Sequence, residues 1–153
     1  MTRLDLQVIQ TERLVLVPLD DETAGHLLGG DASCLDHAAG WPHEDTLDGV
    51  KLRPSGAAIW LVGLDGVVIG DCGTAGPIEN GSVEIGFGLA EEERGKGYGT
   101  ELVGALSDWL LAYHGVERIV ATTDVANKAS RTVLERAGFG AESESDGAVL
   151  YAR

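Results

Sequence analysis

The chain has 153 residues, 44% of them apolar, 22 glycines and a formal net charge of −14. That length and apolar content predict one globular domain over residues 1–153 with a real core and many tight turns. The charge argues against a nucleic-acid backbone as partner, because phosphate binding needs a basic face.

Taken in chain order, residues 11–19 (TERLVLVPL) predict a first strand, ended by the acidic turn Asp20-Asp21-Glu22. A short helix follows to Leu28, where Gly29-Gly30 stop it. Residues 31–56, interrupted by Trp41-Pro42 and Pro54, read as loop with room for one short helix. Residues 58–64 and 67–73 predict two strands joined at Asp65-Gly66, a strong hairpin dipeptide. A turn over 77–81 leads into a strand at 82–89 (SVEIGFGL), completing an antiparallel meander. The period then changes. Tyr98, Leu102, Ala105, Leu106, Trp109, Leu110 and Tyr113 share one helical face, with Gly115 placed to end the helix. Residues 118–124 predict a strand, and Asn127 caps a helix running to Ala137 and closed by Gly138. Two short strands with a turn at Asp146-Gly147 finish the chain. The strand–helix–strand order implies one right-handed crossover and a locally parallel pair, hence a mixed α+β sheet.

Charge is unevenly placed. Residues 1–93 carry 17 acids against four bases (Arg3, Arg13, Lys51 and Arg53), whereas residues 94–136 carry 6 bases against 5 acids. This suits an anionic cofactor held in one place and a cationic substrate drawn to another. An acidic surface kept for solubility would read the same way. The basic stretch opens on Arg94-Gly95-Lys96-Gly97-Tyr98-Gly99-Thr100, where a helix begins. A helix start offers unpaired N–H groups and partial positive charge, and glycines let a phosphate approach them closely. The spacing matches neither the P-loop nor the dinucleotide fingerprint. Read alone, it could still be a flexible loop entering a helix.

The pattern Arg94-x-x-Gly97-x-Gly99 resembles the pyrophosphate-binding loop of the GNAT N-acetyltransferases, [Q/R]-x-x-G-x-[G/A]. Upstream, Val83-Glu84-Ile85-Gly86-Phe87-Gly88-Leu89 resembles that family's central strand. Downstream, residues 127–139 (NKASRTVLERAGF) resemble its N-x-x-S…G-F helix, in the wording of the ribosomal-protein N-terminal acetyltransferases. Thr11-Glu12-Arg13-Leu14 and Trp41-Pro42 fit the same branch. The resemblance implies a mostly antiparallel sheet with one splayed parallel pair, flanked by helices. It also implies acetyl-CoA as acetyl donor, its pantetheine arm lying along Phe87, Gly88 and Leu89 like an added strand. Amides from Gly95 to Thr100 (Gly95, Lys96, Gly97, Tyr98, Gly99, Thr100) would hold the pyrophosphate, with charge from Arg94 and Lys96. The Gly88 N–H would polarise the thioester carbonyl. Gly86 and Gly88 suit a bulge or a close backbone approach, or simply relieve packing.

The attacking amine must be neutral, so a base is required. Glu84 interrupts an apolar strand and matches a glutamate that often serves as base in this family; partial burial would raise its pKa. The alternative is an ordinary surface position. The family often places a tyrosine on the following helix as acid, but Leu134 stands there, so Ser130 takes that expectation, or bonds the sulfur. Asn127 caps its helix and could also bond the pantetheine. Direct attack in a ternary complex needs no covalent intermediate. Cys34, His37 and His43 lack a fourth ligand, so no metal is expected. The acceptor is expected to be a cationic primary amine or a peptide N-terminus, with no nucleic-acid or membrane partner; a homodimer stays open. A non-catalytic acyl-CoA sensor on the same fold is the alternative function. Two thiols far apart, the short apolar stretch at about residues 57–64, and a start at Met1-Thr2-Arg3-Leu4-Asp5 without an apolar signal core point to the cytoplasm.

Overall fold

A computed structural model describes residues 4–153, so the reading of Met1, Thr2 and Arg3 lies outside the described residues. The elements in order are β1 (Ile9–Gln10), β2 (Val15–Pro18), α1 (Asp21–Leu28), α2 (Glu44–Lys51), β3 (Ala58–Leu64), β4 (Val67–Thr74), β5 (Ser82–Leu89), α3 (Tyr98–Ala112), β6 (Arg118–Asp124), α4 (Lys128–Arg136), β7 (Gly140–Ser145) and β8 (Ala148–Ala152). The strands form a single eight-stranded sheet ordered β1-β2-β3-β4-β5-β6-β8-β7. Every pairing is antiparallel except β5 with β6. The mixed α/β fold with one parallel pair is therefore the one expected.

Two local differences have physical causes. The first strand is shorter than residues 11–19, because the Thr11 N–H donates to the Leu14 carbonyl at 2.9 Å and its hydroxyl accepts from the Leu14 N–H at 2.9 Å. That turn separates β1 from β2. The short helix allowed for within residues 31–56 is α2, which packs through buried Thr46 and Val50. Gly115 does not end α3: the helix stops at Ala112 and Tyr113 is already extended, with φ −76° and ψ 133°. Tyr113 stacks on Trp109 at 5.2 Å and its hydroxyl accepts from the Asp5 N–H, which holds it out of the helix.

β3 explains why the sheet is covered on both sides. Its continuous apolar run places Ala58, Trp60 and Val62 in one core with Leu102, Leu106 and Leu110 of α3, and Ile59 and Leu61 in a second with Leu27 of α1 and Val50 of α2. Functionally, the important irregularity lies between β5 and β6. Their register covers only Ser82, Val83 and Glu84 against Arg118, Ile119 and Val120. Beyond that point β6 stays paired with β8 through Asp124, while β5 stays paired with β4 through Leu89. The two strands splay apart, and one edge of β5 is left open. Among the described residues, no helix is long and apolar enough to cross a membrane.

Candidate active site

The open edge can be resolved group by group. In an antiparallel pair, hydrogen-bonded residue pairs alternate with unbonded ones. Ala90 donates to the Ile69 carbonyl and Ala75 to the Glu84 carbonyl, so Asp71/Gly88 and Gly73/Gly86 are also bonded pairs in the β4–β5 register. The N–H of Gly88 therefore belongs to the ladder with Asp71. This corrects the expectation that it polarises a bound carbonyl. The N–H groups of Phe87 and Leu89 point instead into the splay, where no strand among the described residues meets them. The Leu89 carbonyl accepts from Arg94 Nε at 3.1 Å, tying the end of β5 to the loop that follows.

The three glycines of that loop serve two purposes. Gly95 and Gly97 have φ of +76° and +85°, a left-handed conformation that other residues adopt only with strain. Gly99 is buried in the first turn of α3, where an added Cβ would lie 3.0 Å from Val133 Cγ2 of α4. Its smallness lets two helices approach. Among the described residues, no protein acceptor takes the N–H groups of Gly95 through Thr100, so six donors are free at a helix start. Arg13 braces the loop from β2's approach: its Nη1 donates to the Lys96 carbonyl at 3.1 Å, its Nε to Glu101 at 2.7 Å, and its guanidinium lies 4.5 Å from the Tyr98 ring centroid.

A cleft of about 560 Å³ runs from the open edge of β5 across the loop to α4. Phe87, Gly88, Leu89, Arg94, Gly95, Gly97, Gly99, Thr100, Asn127 and Ser130, all named as cofactor candidates, line it. Two of the expected residues do not. The Lys96 ammonium pairs with Glu93 at 3.4 Å, and Tyr98 lies beneath Arg13. Asn127 caps α4, its side-chain oxygen accepting from the Ser130 N–H at 3.1 Å. The wall also holds Lys128, Thr132 and Arg136, which the sequence reading missed. Their spacing of four places them on one face of α4, a signal present in the sequence. The cleft thus carries three cations, Arg94, Lys128 and Arg136, and no carboxylate. Free strand-edge donors, free loop amides and cations suit a pantetheine arm and a pyrophosphate.

A second cleft, of about 680 Å³, opens beside the first and shares Phe87, Gly88, Arg94 and Asn127 with it. Its walls have the opposite charge: Glu44, Asp45, Asp48, Asp71 and Glu84 line it. Glu84 is exposed there rather than partly buried. Gly86 and Gly88 form the floor. β5 has no register shift against β4, and an added Cβ at Gly86 would meet nothing within 4 Å, so neither a bulge nor relief of packing accounts for it. Asp71, unremarked in the sequence, sits opposite Gly88 and accepts from Trp41 Nε1 at 2.9 Å and Thr46 Oγ1 at 2.6 Å. Burial pushes its pKa above the ordinary 3.8, against the two hydrogen bonds. Among the described residues, no group of three or more His, Cys, Asp or Glu side chains is placed to hold a metal ion.

Known proteins agree with this geometry. Residues 13–140 match the model of the Acetyltransferase (GNAT) domain. The chain is 31% identical over 149 residues to the uncharacterized N-acetyltransferase YjdG of Bacillus subtilis (strain 168), covering 90% of this chain and 86% of that one. Its fold is similar to that of an acetyltransferase from Agrobacterium tumefaciens str. C58 (TM-score 0.69, 25% identity, 100% of this chain and 97% of that one). It is also similar in fold to RimL, a ribosomal L7/L12 alpha-N-protein acetyltransferase in complex with coenzyme A (TM-score 0.71, 23% identity, 96% of this chain and 97% of that one). A splayed central strand, a glycine loop at a helix start and a match over most of its length together place the chain in the GNAT family of acetyl-CoA-dependent N-acetyltransferases.

Proposed function

We propose that residues 1–153 form one cytoplasmic N-acetyltransferase unit whose acceptor is a cationic primary amine, a small amine or a peptide N-terminus, attacked directly in a ternary complex. The observation that carries this reading is the meeting of two clefts of opposite charge at Gly88. One is lined by cations and suits the anionic donor. The other is lined by five carboxylates and suits a positively charged acceptor. When bound, acetyl-CoA supplies the activated acyl group as a thioester. The free N–H groups of Phe87 and Leu89 hold its arm and orient the carbonyl, and the loop amides with Arg94, Lys128 and Arg136 hold its phosphates.

Glu84 is the proposed base. It lies on the face of β5 that carries Gly86 and Gly88, within the acceptor cleft, where it can take a proton from the amine directly or through water. Ser130, at the start of α4 in the donor cleft, is the proposed proton donor or hydrogen-bond partner for the departing sulfur. Glu84→Gln tests the assignment. We expect kcat for thiol release to fall about 10²- to 10⁴-fold, the range for a general base, while acetyl-CoA binding by calorimetry stays unchanged. Undiminished turnover would remove Glu84 from the mechanism.

A further inference from the structure

Asp71 is held unlike any other carboxylate of the acceptor cleft. Both of its hydrogen bonds, from Trp41 Nε1 and Thr46 Oγ1, fall on Oδ2. The Thr46 hydroxyl itself accepts from the His43 N–H at 3.2 Å, so the start of α2 and the Trp41-Pro42 segment both grip one oxygen. Trp41 and Thr46 are buried, at 2% and 3% exposure, which fixes the carboxylate in one orientation. Among the described residues, Oδ1 receives no hydrogen bond.

The surroundings of Asp71 are as specific as its grip. Its register partner across the sheet is Gly88, whose neighbours Phe87 and Leu89 present the free donors of the donor cleft. Paired residues project to the same face of a sheet. The positions beside Asp71 on β5, Gly88 and Gly86, have no side chain. A Cβ at Gly88 would meet only His43 Nδ1, at 4.0 Å, and one at Gly86 would meet nothing within 4 Å. A fixed carboxylate therefore stands over an open strip of backbone at the point where the two clefts join.

We propose that Asp71 binds the ammonium group of the acceptor through Oδ1 and places it over Gly88, beside the acyl group held along Phe87 and Leu89. The proposal rests on the reading of the enzyme as an acetyltransferase for cationic amines, and it names the residue that selects them. Asp71 is half-buried with no ion pair among the described residues, and desolvation pushes its pKa upward against the hydrogen bonds from Thr46 and Trp41 and the attraction of His43. An incoming ammonium supplies the missing partner. His43, Glu44, Asp45, Asp48 and Glu84 line the same cleft, but none shares a hydrogen bond with Asp71. Asp71 then selects and orients, and Glu84 takes the proton.

The experiment is steady-state thiol release on the full chain, with 1,4-diaminobutane and an alanyl peptide with a free N-terminus as probes. The variants are Asp71→Asn and Asp71→Glu. An asparagine oxygen can still accept from Trp41 and Thr46, so Asp71→Asn is expected to fold, which a melting curve checks. We expect Asp71→Asn to raise the amine KM about ten- to hundredfold, the loss of one charged hydrogen bond. The acetyl-CoA KM should stay within about twofold, marking loss of acceptor binding alone. Asp71→Glu keeps the charge and should recover part of the amine affinity, and it stands in should the asparagine variant not fold. An unchanged amine KM in both variants, or an equal rise in the acetyl-CoA KM, overturns the proposal. Wild-type protein that binds acetyl-CoA but acetylates neither probe would instead overturn the amine reading, and this proposal with it.

Discussion

Gly86 occupies a strand interior, where glycine ordinarily weakens a sheet. Its backbone is not left-handed, and an added methyl would meet no protein atom within 4 Å. Nothing in the folded protein requires glycine there, whereas a ligand lying on that floor would. Gly86→Ala should leave thermal stability unchanged or raise it by up to about 1 kcal/mol, by restricting the unfolded chain. The same substitution should raise the acceptor KM, because the methyl stands in the cleft; paired melting and kinetic measurements check both halves. A melting temperature lowered by several degrees would instead make Gly86 a packing glycine. At this scale, residues whose placement depends on local spacing were legible in the sequence: Glu84 in its apolar strand, the Arg94–Gly99 loop at a helix start, Asn127 as a cap. Asp71 was not. Its meaning comes from the strand opposite and from Trp41 and Thr46, 30 and 25 residues away.

The glycine loop is held in shape by an element far from it in sequence. Arg13 reaches the Lys96 carbonyl, the Glu101 carboxylate and the Tyr98 ring, while Thr11 and the Arg13 N–H also donate to Glu101. Thr11-Glu12-Arg13-Leu14 therefore acts as a brace for the donor site, although it touches neither cleft. Each such contact is weak on its own in an exposed setting, so the brace works by their number. Arg13→Ala should raise the acetyl-CoA KM about three- to tenfold, with the acceptor KM little changed. A rise confined to the acceptor would refute the brace. Elements punctuated by local chemistry were readable: the Asp65-Gly66 hairpin, the Asp146-Gly147 turn and the Asn127-capped α4 fall where expected. The insertion of β8 between β6 and β7 was not, and the splay beyond Glu84 was expected only through the family resemblance. Both are decided by which strand edge is nearest in space, and neither leaves a periodic trace along the chain.

Across the molecule, net charge and local charge oppose one another, and that opposition is open to measurement. The chain carries −14 overall, so on the proposed reading an anionic donor is repelled at long range and captured only where Arg94, Lys128, Arg136 and the free amides of Gly95, Gly97, Gly99 and Thr100 line one cleft. A cationic acceptor meets the reverse: the whole molecule attracts it, and Glu44, Asp45, Asp48, Asp71 and Glu84 focus that attraction into one cleft. Salt separates the two cases. The screening length falls from about 10 Å at 0.1 M to about 3 Å at 1 M, so long-range attraction is removed before close contacts are. Between those salt concentrations kcat/KM for a dicationic amine should fall about tenfold or more, within the span by which steering raises encounter rates. For a monocation of similar size the fall should be smaller. The acetyl-CoA KM should change less than either, since screening weakens the overall repulsion and the local attraction together. Stopped-time thiol release at five or six salt concentrations, with glucose added as an uncharged control for solute effects, reads all three slopes. Equal slopes for the dication and the monocation would mean that the acidic cleft does not steer the acceptor, and that the carboxylates outside Asp71 serve solubility alone.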